Sequence, residues 1–279
     1  MMVVAAADQR EIFEESTASF RLAEISIDEA RAHMPVLDAG HMAYAAYADH
    51  AWDIDTDLLL QNFSREARAN AAQIITAAPV SKIERDGQVW RVETPKGVFE
   101  AKILVNAAGA WADGIARIAG VAPVGLTPMR RSMARIPAPG GMDVSKWPTV
   151  FGVGETWYSK PDAGALIVSP AEEDAMQPHD AWADDMVLAE GLARYEEFVS
   201  EPVTRLLSSW AGLRTFSPDR ILVIGRDPAV PSFFWLAGQG GYGFQTSSAA
   251  SQPVADLIDG RAPQIDADVC AALSPARFN

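Results

Sequence analysis

The feature that most constrains the fold is an apolar run that leads into a glycine-rich turn and then into a helical pattern. The run FFWLA fills residues 233–237, four glycines fall within residues 238–243, and residues 247–258 have the apolar spacing of a helix. Glycine backbones adopt positive φ and approach a ligand closely, while the amide end of a helix attracts negative charge. The segment therefore predicts a cradle for a phosphate or another electron-rich group.

A second unit of the same kind lies upstream. The run ILV at residues 103–105 leads into NAAGAWAD, and residues 114–120 again have helical apolar spacing. Two strand–glycine–helix units in one chain indicate a nucleotide-binding sheet.

Composition narrows the class of protein. The 279 residues are 49% apolar and 22% charged, which is typical of a globular chain of one or two domains. No apolar run approaches the roughly 18 residues of a membrane span, and the net charge of −14 argues against nucleic acid as a partner. The single cysteine, Cys270, excludes an internal disulfide, and no signal peptide opens the sequence. We expect a soluble, cytoplasmic protein.

Familiar metal and hydrolase motifs are missing from the sequence. The four histidines lack zinc-ligand spacing, and no Gly-x-Ser-x-Gly, His-Glu-x-x-His or Walker pattern occurs. The aspartates at 53, 55 and 57 lack the glycine and distant glutamate of a calcium loop, so we interpret them as helix caps. No metal site is expected.

Local patterns place the other elements. Alternation over residues 73–106, with turns at 86–87 and 95–97, predicts a meander of about four strands that ends in the apolar run at 103–105. A capping box at Ser26–Glu29 predicts a short helix. The remaining predicted strands lie at 1–7, 129–136, 149–153, 157–160, 165–169, 222–224 and 233–236, and the remaining helices at 8–20, 53–67 and 184–199. The closely spaced strands indicate an antiparallel sheet.

Three separated motifs carry a family resemblance: VNAAGAWAD at 105–113, WAGLR at 210–214 and GGYGFQT at 240–246. In this order they resemble the FAD-dependent D-amino acid oxidase/dehydrogenase superfamily over nearly the whole chain. Within it the sequence is most similar to D-arginine dehydrogenase, also through DIDTD, PMRRS, YSKPDAG and LSP, which begin at residues 53, 128, 158 and 273.

The resemblance implies a mixed α/β fold that combines an incomplete FAD-binding, nucleotide-type layer with an antiparallel-sheet substrate domain. Residues 1–72 are expected to begin in the substrate domain and lead into a helix of the FAD domain. Residues 73–123 and 210–279 are assigned to the FAD-binding domain, and 124–209 to the substrate domain.

The sequence departs from the family at its start. Members open with a strand and a Gly-x-Gly-x-x-Gly turn that binds the FAD pyrophosphate, and this sequence contains no such turn. We expect either that the sequence is a fragment that lacks its N-terminal βαβ segment, or that the protein it encodes binds flavin poorly.

Substrate-binding residues are carried over from the matched motifs. Arg131 and Arg214 match the pair that binds the substrate carboxylate, a task suited to a planar guanidinium, and Tyr158 matches a tyrosine of the substrate pocket. The alternatives are that Arg130 and Arg131 are surface charges, that Arg214 is a buried structural arginine and that Tyr158 is an ordinary strand aromatic.

Cofactor-binding residues are implied in the same way. Those matched to the flavin loop are Gly240, Gly241, Gly243 and Gln245; those matched to a second FAD-contacting turn are Ala108, Gly109 and Trp111; Val80 matches a position whose backbone meets the adenine. A plain turn with a helix cap is the alternative for the loop, and helix packing is the alternative for Trp111.

The implied reaction is hydride transfer from the α-carbon of a D-amino acid to flavin N5, which gives an imino acid and then a 2-oxo acid and ammonia. Another amine such as glycine or sarcosine is an alternative substrate, and a truncated, flavin-free, non-catalytic fragment is an alternative reading of the chain. The electron acceptor is left open. The first residues, MMVV, offer no carboxylate for a basic side chain, so a preference for arginine is not carried over.

Overall fold

The computed structural model describes residues 1–278, which form two compact units from discontinuous segments. Unit 1 comprises residues 1–52, 130–175 and 180–213, and unit 2 comprises residues 53–129, 176–179 and 214 onward. The main changes of unit lie at 52/53, 129/130 and 213/214, whereas the sequence assignment changes domain within residues 1–72, at 123/124 and at 209/210.

The described chain has fifteen strands and seven α-helices, so the mixed α/β class is confirmed. The strands are β1 (Met2–Ala5), β2 (Ala23–Ile25), β3 (Tyr44–Tyr47), β4 (Lys82–Asp86), β5 (Val89–Thr94), β6 (Gly97–Ala101), β7 (Leu104–Asn106), β8 (Thr127–Pro137), β9 (Val150–Gly152), β10 (Tyr158–Asp162), β11 (Ala165–Ser169), β12 (Asp174–Ala175), β13 (Ser208–Phe216), β14 (Val223–Arg226) and β15 (Phe233–Ala237). The helices are α1 (Arg10–Phe20), α2 (Ile27–His33), α3 (Thr56–Ala69), α4 (Ala112–Ile118), α5 (Asp185–Glu196), α6 (Gly243–Ile258) and α7 (Ala267–Leu273).

Unit 1 is organised around a nine-stranded sheet. Its order is β12-β8-β11-β10-β9-β1-β3-β2, and β13 pairs with β8. β1 runs parallel to β9 and antiparallel to β3, while β10 and β11 form an antiparallel hairpin. The predicted antiparallel sheet is therefore present, and the pairing of β1 with β9 adds a parallel pair to it.

The first strand shows how both faces of this sheet are covered. Val3 and Ala5 pack into a cluster with Phe13 of α1, whereas Met2 and Val4 pack into the larger core that includes Tyr195 of α5. Side chains alternate across a strand, so a strand buried on both faces is apolar at every position. This explains the continuous run MVVA.

Two helix starts follow the predicted capping chemistry. The Ser26 hydroxyl accepts the Glu29 amide proton at 3.2 Å, and the Glu29 carboxylate accepts the Ser26 amide proton at 2.8 Å. Asp55 caps α3 by accepting the Leu58 amide proton at 2.9 Å. Both are the expected ways to satisfy amide groups that have no intrahelical partner.

Unit 2 contains two three-stranded sheets, β14-β15-β7 and β4-β5-β6. β15 runs parallel to β7, with Phe233 opposite Leu104 and Trp235 opposite Asn106. Phe233 and Trp235 pack with Trp90 and α4, while Phe234 packs with Val254 of α6. β15 is thus the buried strand of the nucleotide-type layer.

The predicted four-strand meander is wrong in one respect. Turns form at the two predicted places, but the meander has three strands, and β7 pairs with β15 instead. The reason is that the apolar run at 103–105 suits a strand that pairs with β15 in the buried layer, while the residues of β4 to β6 are mostly exposed and these strands pair with one another. α6 also begins four residues earlier than predicted, inside the glycine turn.

Among residues 1–278, no helix combines the length and apolar character required to cross a membrane.

Candidate functional site

The turn after β7 is braced by the side chain of Asn106. Its amide Nδ2 donates to the Ala112 carbonyl at 2.8 Å, and its Oδ1 accepts the Ala108 amide proton at 3.3 Å. Gly109 has φ +54°, and apart from Gly109 and its two chain neighbours no described residue has a heavy atom within 4 Å of the place where a Cβ would sit. The Asn106 side chain therefore fixes the turn, and the space beside Gly109 is open, as the binding of a ligand by backbone amides requires.

The glycine loop after β15 is fixed against the end of β13. The Gly240 amide donates to the Thr215 carbonyl at 2.9 Å, and Gly240 has φ +53°. A Cβ on Gly240 would lie 2.3 Å from the Phe216 ring, and a Cβ on Gly241 would lie 2.9 Å from a guanidinium nitrogen of Arg214. A larger residue at 240 would overlap the Phe216 ring, and a larger residue at 241 would require the Arg214 guanidinium to move.

The N-terminus of α6 follows this loop directly. Its N-cap is Tyr242, and among the described residues no side chain caps the first turn. The first amide groups of a helix have no intrahelical acceptor, and the helix dipole makes this end favourable for negative charge. Gly243 and Gln245, two of the predicted flavin-loop residues, lie in this turn.

A groove of about 340 Å³ lies beside these elements in unit 2. It is lined by Phe63 of α3, Ala107 after β7, Leu236 of β15 and residues of the first half of α6, among them Gly243 and Ser247. The carboxyl ends of two parallel strands, β7 and β15, meet here. Open α/β sheets bind ligands at this edge.

The other predicted cofactor residues lie in two different environments. Trp111 is 51% exposed, so it is not a buried packing residue. Val80 packs against the cluster that contains Ile83 and Trp90. Ala108 joins the same cluster with its side chain, while its amide belongs to the braced turn.

In unit 1, Arg131 and Tyr158 lie on one face of the sheet. The Tyr158 hydroxyl contacts the sulfur of Met133 at 3.3 Å. Arg131 and Met133 are two residues apart on β8, and residues two apart on a strand point to the same face. The structure therefore places these two predicted substrate residues on the same face of the sheet.

The neighbouring Arg130 points to the opposite face. Its guanidinium contacts Asp174 at 2.6 Å, Glu172 at 3.8 Å and Asp184, the N-cap of α5, at 3.9 Å. Arg130 and Arg131 are only 9% and 5% exposed, so the alternative that they are surface charges is wrong.

Arg131 has its own carboxylate partner. Its guanidinium contacts Glu173 at 3.3 Å. Sequence reasoning missed the acidic segment Glu172–Asp174, although the run EED follows a predicted strand, a proline and an alanine. In its own unit, Arg214 is partly exposed and lies against Gly241, so it is not a fully buried structural arginine.

The strongest pKa effect in unit 2 lies in the loop that follows β13. Hydrogen bonds from Arg277 hold the pKa of Asp219 well below its ordinary value. The Asp219 carboxylate also accepts hydrogen bonds from the Ser217 hydroxyl and from the Ile221 amide. These contacts tie the C-terminal segment to the loop between β13 and β14.

Comparison with known proteins identifies relatives of several substrate types. The chain is 28% identical to glycine oxidase of Pseudomonas aeruginosa over 260 residues, covering 88% of this chain and 66% of that protein. It is 29% identical to a D-amino acid dehydrogenase of Cereibacter sphaeroides (64% and 40% covered) and 24% identical to human mitochondrial dimethylglycine dehydrogenase (88% and 30% covered). The chain thus spans between about a third and two thirds of these relatives.

The fold agrees with the sequence relatives. Glycine oxidase from Geobacillus kaustophilus superimposes with a TM-score of 0.82 at 22% identity, covering 99% of this chain and 74% of that one. At this identity the superposition shows the fold alone. A model of the FAD dependent oxidoreductase (DAO) family, however, matches residues 1–257, and the chain therefore belongs to this family of FAD-dependent enzymes.

Proposed function

We propose that the chain serves in the FAD-dependent oxidation of a small amine or amino acid, with a D-amino acid as the substrate. The observation that carries the proposal is the pair of parallel strand ends in unit 2, each followed by a glycine turn and a helix beside one groove. The sheet face that holds Arg131 and Tyr158 supports the choice of a carboxylate-bearing substrate.

The residues of unit 2 fit an FAD group. The open space beside Gly109 allows a ligand to approach the backbone closely. The uncapped first turn of α6 is a site for negative charge, and the apolar groove is a surface for a flat ring system. We assign Ala108, Gly109 and Trp111 to one FAD-binding turn, and assign the flavin loop to Gly240, Gly241, Gly243 and Gln245. Val80 is proposed to contribute its backbone.

When bound, FAD supplies the acceptor for the hydride that leaves the substrate α-carbon. The contribution of this chain is positioning and charge. Amide groups at the start of α6 and in the glycine loop favour negative charge that develops next to them. They do so without moving, because contacts with Thr215 and Phe216 fix the loop.

In unit 1, Arg131 is proposed to bind the substrate carboxylate. The guanidinium is buried, always charged and able to donate two parallel hydrogen bonds. Tyr158 is proposed to line the same pocket with its hydroxyl. Arg214 is proposed as a second carboxylate ligand, with support from its sequence motif and from its contact with the proposed flavin loop in unit 2.

Glycine or a methylated glycine is the second candidate substrate. The similarity to a glycine oxidase and to a dimethylglycine dehydrogenase favours it. Both classes carry a carboxylate and an amine on one carbon, so the proposed role of Arg131 is the same for both. The two substrate classes differ at the α-carbon: a D-amino acid has a side chain there and is chiral, whereas glycine and its methylated forms have no side chain and are achiral.

The test is anaerobic reduction of the flavin by candidate substrates. The purified protein is supplied with FAD, freed of excess cofactor and mixed with D-amino acids, their L-enantiomers, glycine or sarcosine, while the flavin absorbance is followed. Bleaching by D- but not L-amino acids supports the proposal, and bleaching by glycine or sarcosine alone favours the second candidate. Protein that retains no FAD would support a flavin-free, non-catalytic chain.

A further inference from the structure

The arginine pair on β8 faces an acidic segment that alternates in step with it. β12 pairs with β8, and the residues just before and within β12 are Glu172, Glu173 and Asp174. Glu172 and Asp174 lie against Arg130, whereas Glu173 lies against Arg131. This is the period of two expected of neighbouring extended segments, so each arginine has carboxylates on its own face of the sheet.

The segment is held in place by an unusual backbone conformation. Ala171 has φ +57°, a left-handed conformation that is unfavourable for a residue with a Cβ. Its amide donates to the Ser169 hydroxyl at 3.1 Å, and that hydroxyl donates to the Ser132 carbonyl at 2.8 Å. The strained turn directs the following residues back along β8, and so carries the Glu173 carboxylate to Arg131.

The contact between Arg131 and Glu173 joins a buried guanidinium to a partly exposed carboxylate. The Arg131 side chain is 5% exposed, but that of Glu173 is 34% exposed and belongs to a segment outside any helix or strand longer than two residues. Glu173 can therefore turn into solvent without uncovering the core. The buried guanidinium requires a compensating charge, and a second carboxylate supplies the same charge as Glu173, so one carboxylate can replace the other.

We propose that Glu173 is an internal competitor for the substrate carboxylate at Arg131. Its carboxylate occupies the guanidinium in the absence of ligand and is displaced when a carboxylate ligand binds. Ligands without a carboxylate do not compensate Arg131 and so do not displace Glu173. The inference rests on the proposed function, because it takes Arg131 as the residue that binds substrate.

The test compares the unmodified chain with Glu173→Gln, which keeps the size of the side chain and removes its charge. Propanoate and its uncharged amide, propanamide, are the probes, and binding is followed by chemical-shift titration. We expect Glu173→Gln to lower the Kd for propanoate about two- to fivefold, the range that corresponds to a partly exposed ion pair. The affinity for propanamide should not change.

Asp174→Asn is the matched control. It removes one negative charge from the adjacent position, so it changes the general field almost equally, but its partner Arg130 lies on the other face. Its Kd for propanoate should match that of the unmodified chain. If Glu173→Gln binds propanoate no more tightly than Asp174→Asn, the competitor role is wrong.

Arg131→Ala separates this inference from the proposed function. If Arg131→Ala abolishes propanoate binding while Glu173→Gln leaves it unchanged, only the competitor role fails. If Arg131→Ala binds propanoate as the unmodified chain does, or if neither the unmodified chain nor Glu173→Gln binds it, the assignment of Arg131 fails and the inference fails with it. In FAD-loaded protein, the competitor role further predicts a lower KM with unchanged kcat for Glu173→Gln, the signature of altered uniform binding.

Discussion

The glycine turns of unit 2 (the backbone surface) and the arginine-bearing sheet face of unit 1 (the side-chain surface), which we propose bind cofactor and substrate, are built in opposite ways. On the backbone surface the proposed ligand groups are main-chain amides, and side chains such as Asn106 brace the turns. On the side-chain surface the proposed ligand groups are side chains, and the charges of Arg130 and Arg131 on β8 are each compensated by a carboxylate more than 40 residues away in sequence. At Gly240 the backbone surface is sensitive to residue size, whereas the side-chain surface is sensitive to charge.

The largest expected effect is that of Gly240→Ala, which tests the rigidity of the backbone surface. The left-handed φ costs about 1–3 kcal/mol for a residue with a Cβ, and the new Cβ would overlap the Phe216 ring. We expect a clear loss of thermal stability and of FAD affinity, measured by thermal unfolding and by calorimetric titration. Gly212→Ala is the control, since Gly212 has no positive φ and open space at its Cβ position. Equal behaviour of the two variants would contradict the steric argument.

Arg131→Ala tests the side-chain surface. Loss of a charge-assisted hydrogen bond of about 1.5–3 kcal/mol should lower kcat/KM for carboxylate substrates roughly ten- to a hundredfold. The FAD content should not change, because Arg131 belongs to unit 1 and not to the glycine turns. Steady-state kinetics and the flavin-to-protein ratio provide the two measurements. If the Arg131→Ala protein has normal kinetics, Arg131 does not bind the substrate and its role is structural.

Arg214→Ala tests both surfaces at once, because the Arg214 side chain is a proposed substrate ligand and also lies against Gly241 of the glycine loop. We expect a loss of kcat/KM of the same order as for Arg131→Ala, together with a smaller decrease in FAD affinity of roughly 1 kcal/mol as the packing on Gly241 is lost. The paired measurement is the Kd for FAD of both arginine variants. If the two variants bind FAD equally well, the contact with Gly241 has no role in fixing the loop.

The smallest expected effect concerns pH. Hydrogen bonds from Arg277 lower the pKa of Asp219 in the folded chain, so the charged carboxylate stabilises the fold above the unfolded pKa of about 3.9. This stabilisation is lost as the pH falls through the lower, folded pKa. Asp219→Asn should therefore lower Tm by a few degrees near pH 7, and the difference should shrink progressively below about pH 4. A difference in Tm that is constant with pH would show that charge is not the cause.

The sequence predicted features that depend on neighbouring residues, such as helix caps and strands. It did not predict contacts between segments that are distant in sequence. The capping box at Ser26, the cap at Asp55 and the strand Ala165–Ser169 depend on neighbouring residues, and all three form as expected. The partner of β7 was predicted wrongly because strand pairing depends on register between segments more than 100 residues apart. The contacts of Arg131 with Glu173 and of Arg214 with Gly241 were missed for the same reason.

The close contact between Gly241 and Arg214 has a consequence for related sequences. A Cβ at 241 would lie 2.9 Å from the Arg214 guanidinium, so a side chain at 241 would displace that guanidinium unless a shorter residue stood at 214. We expect the two positions to vary together among homologues rather than independently. A lineage that changes its substrate by replacing Arg214 would at the same time become free to replace Gly241, so that evolution of specificity in this family would alter the cofactor loop as well.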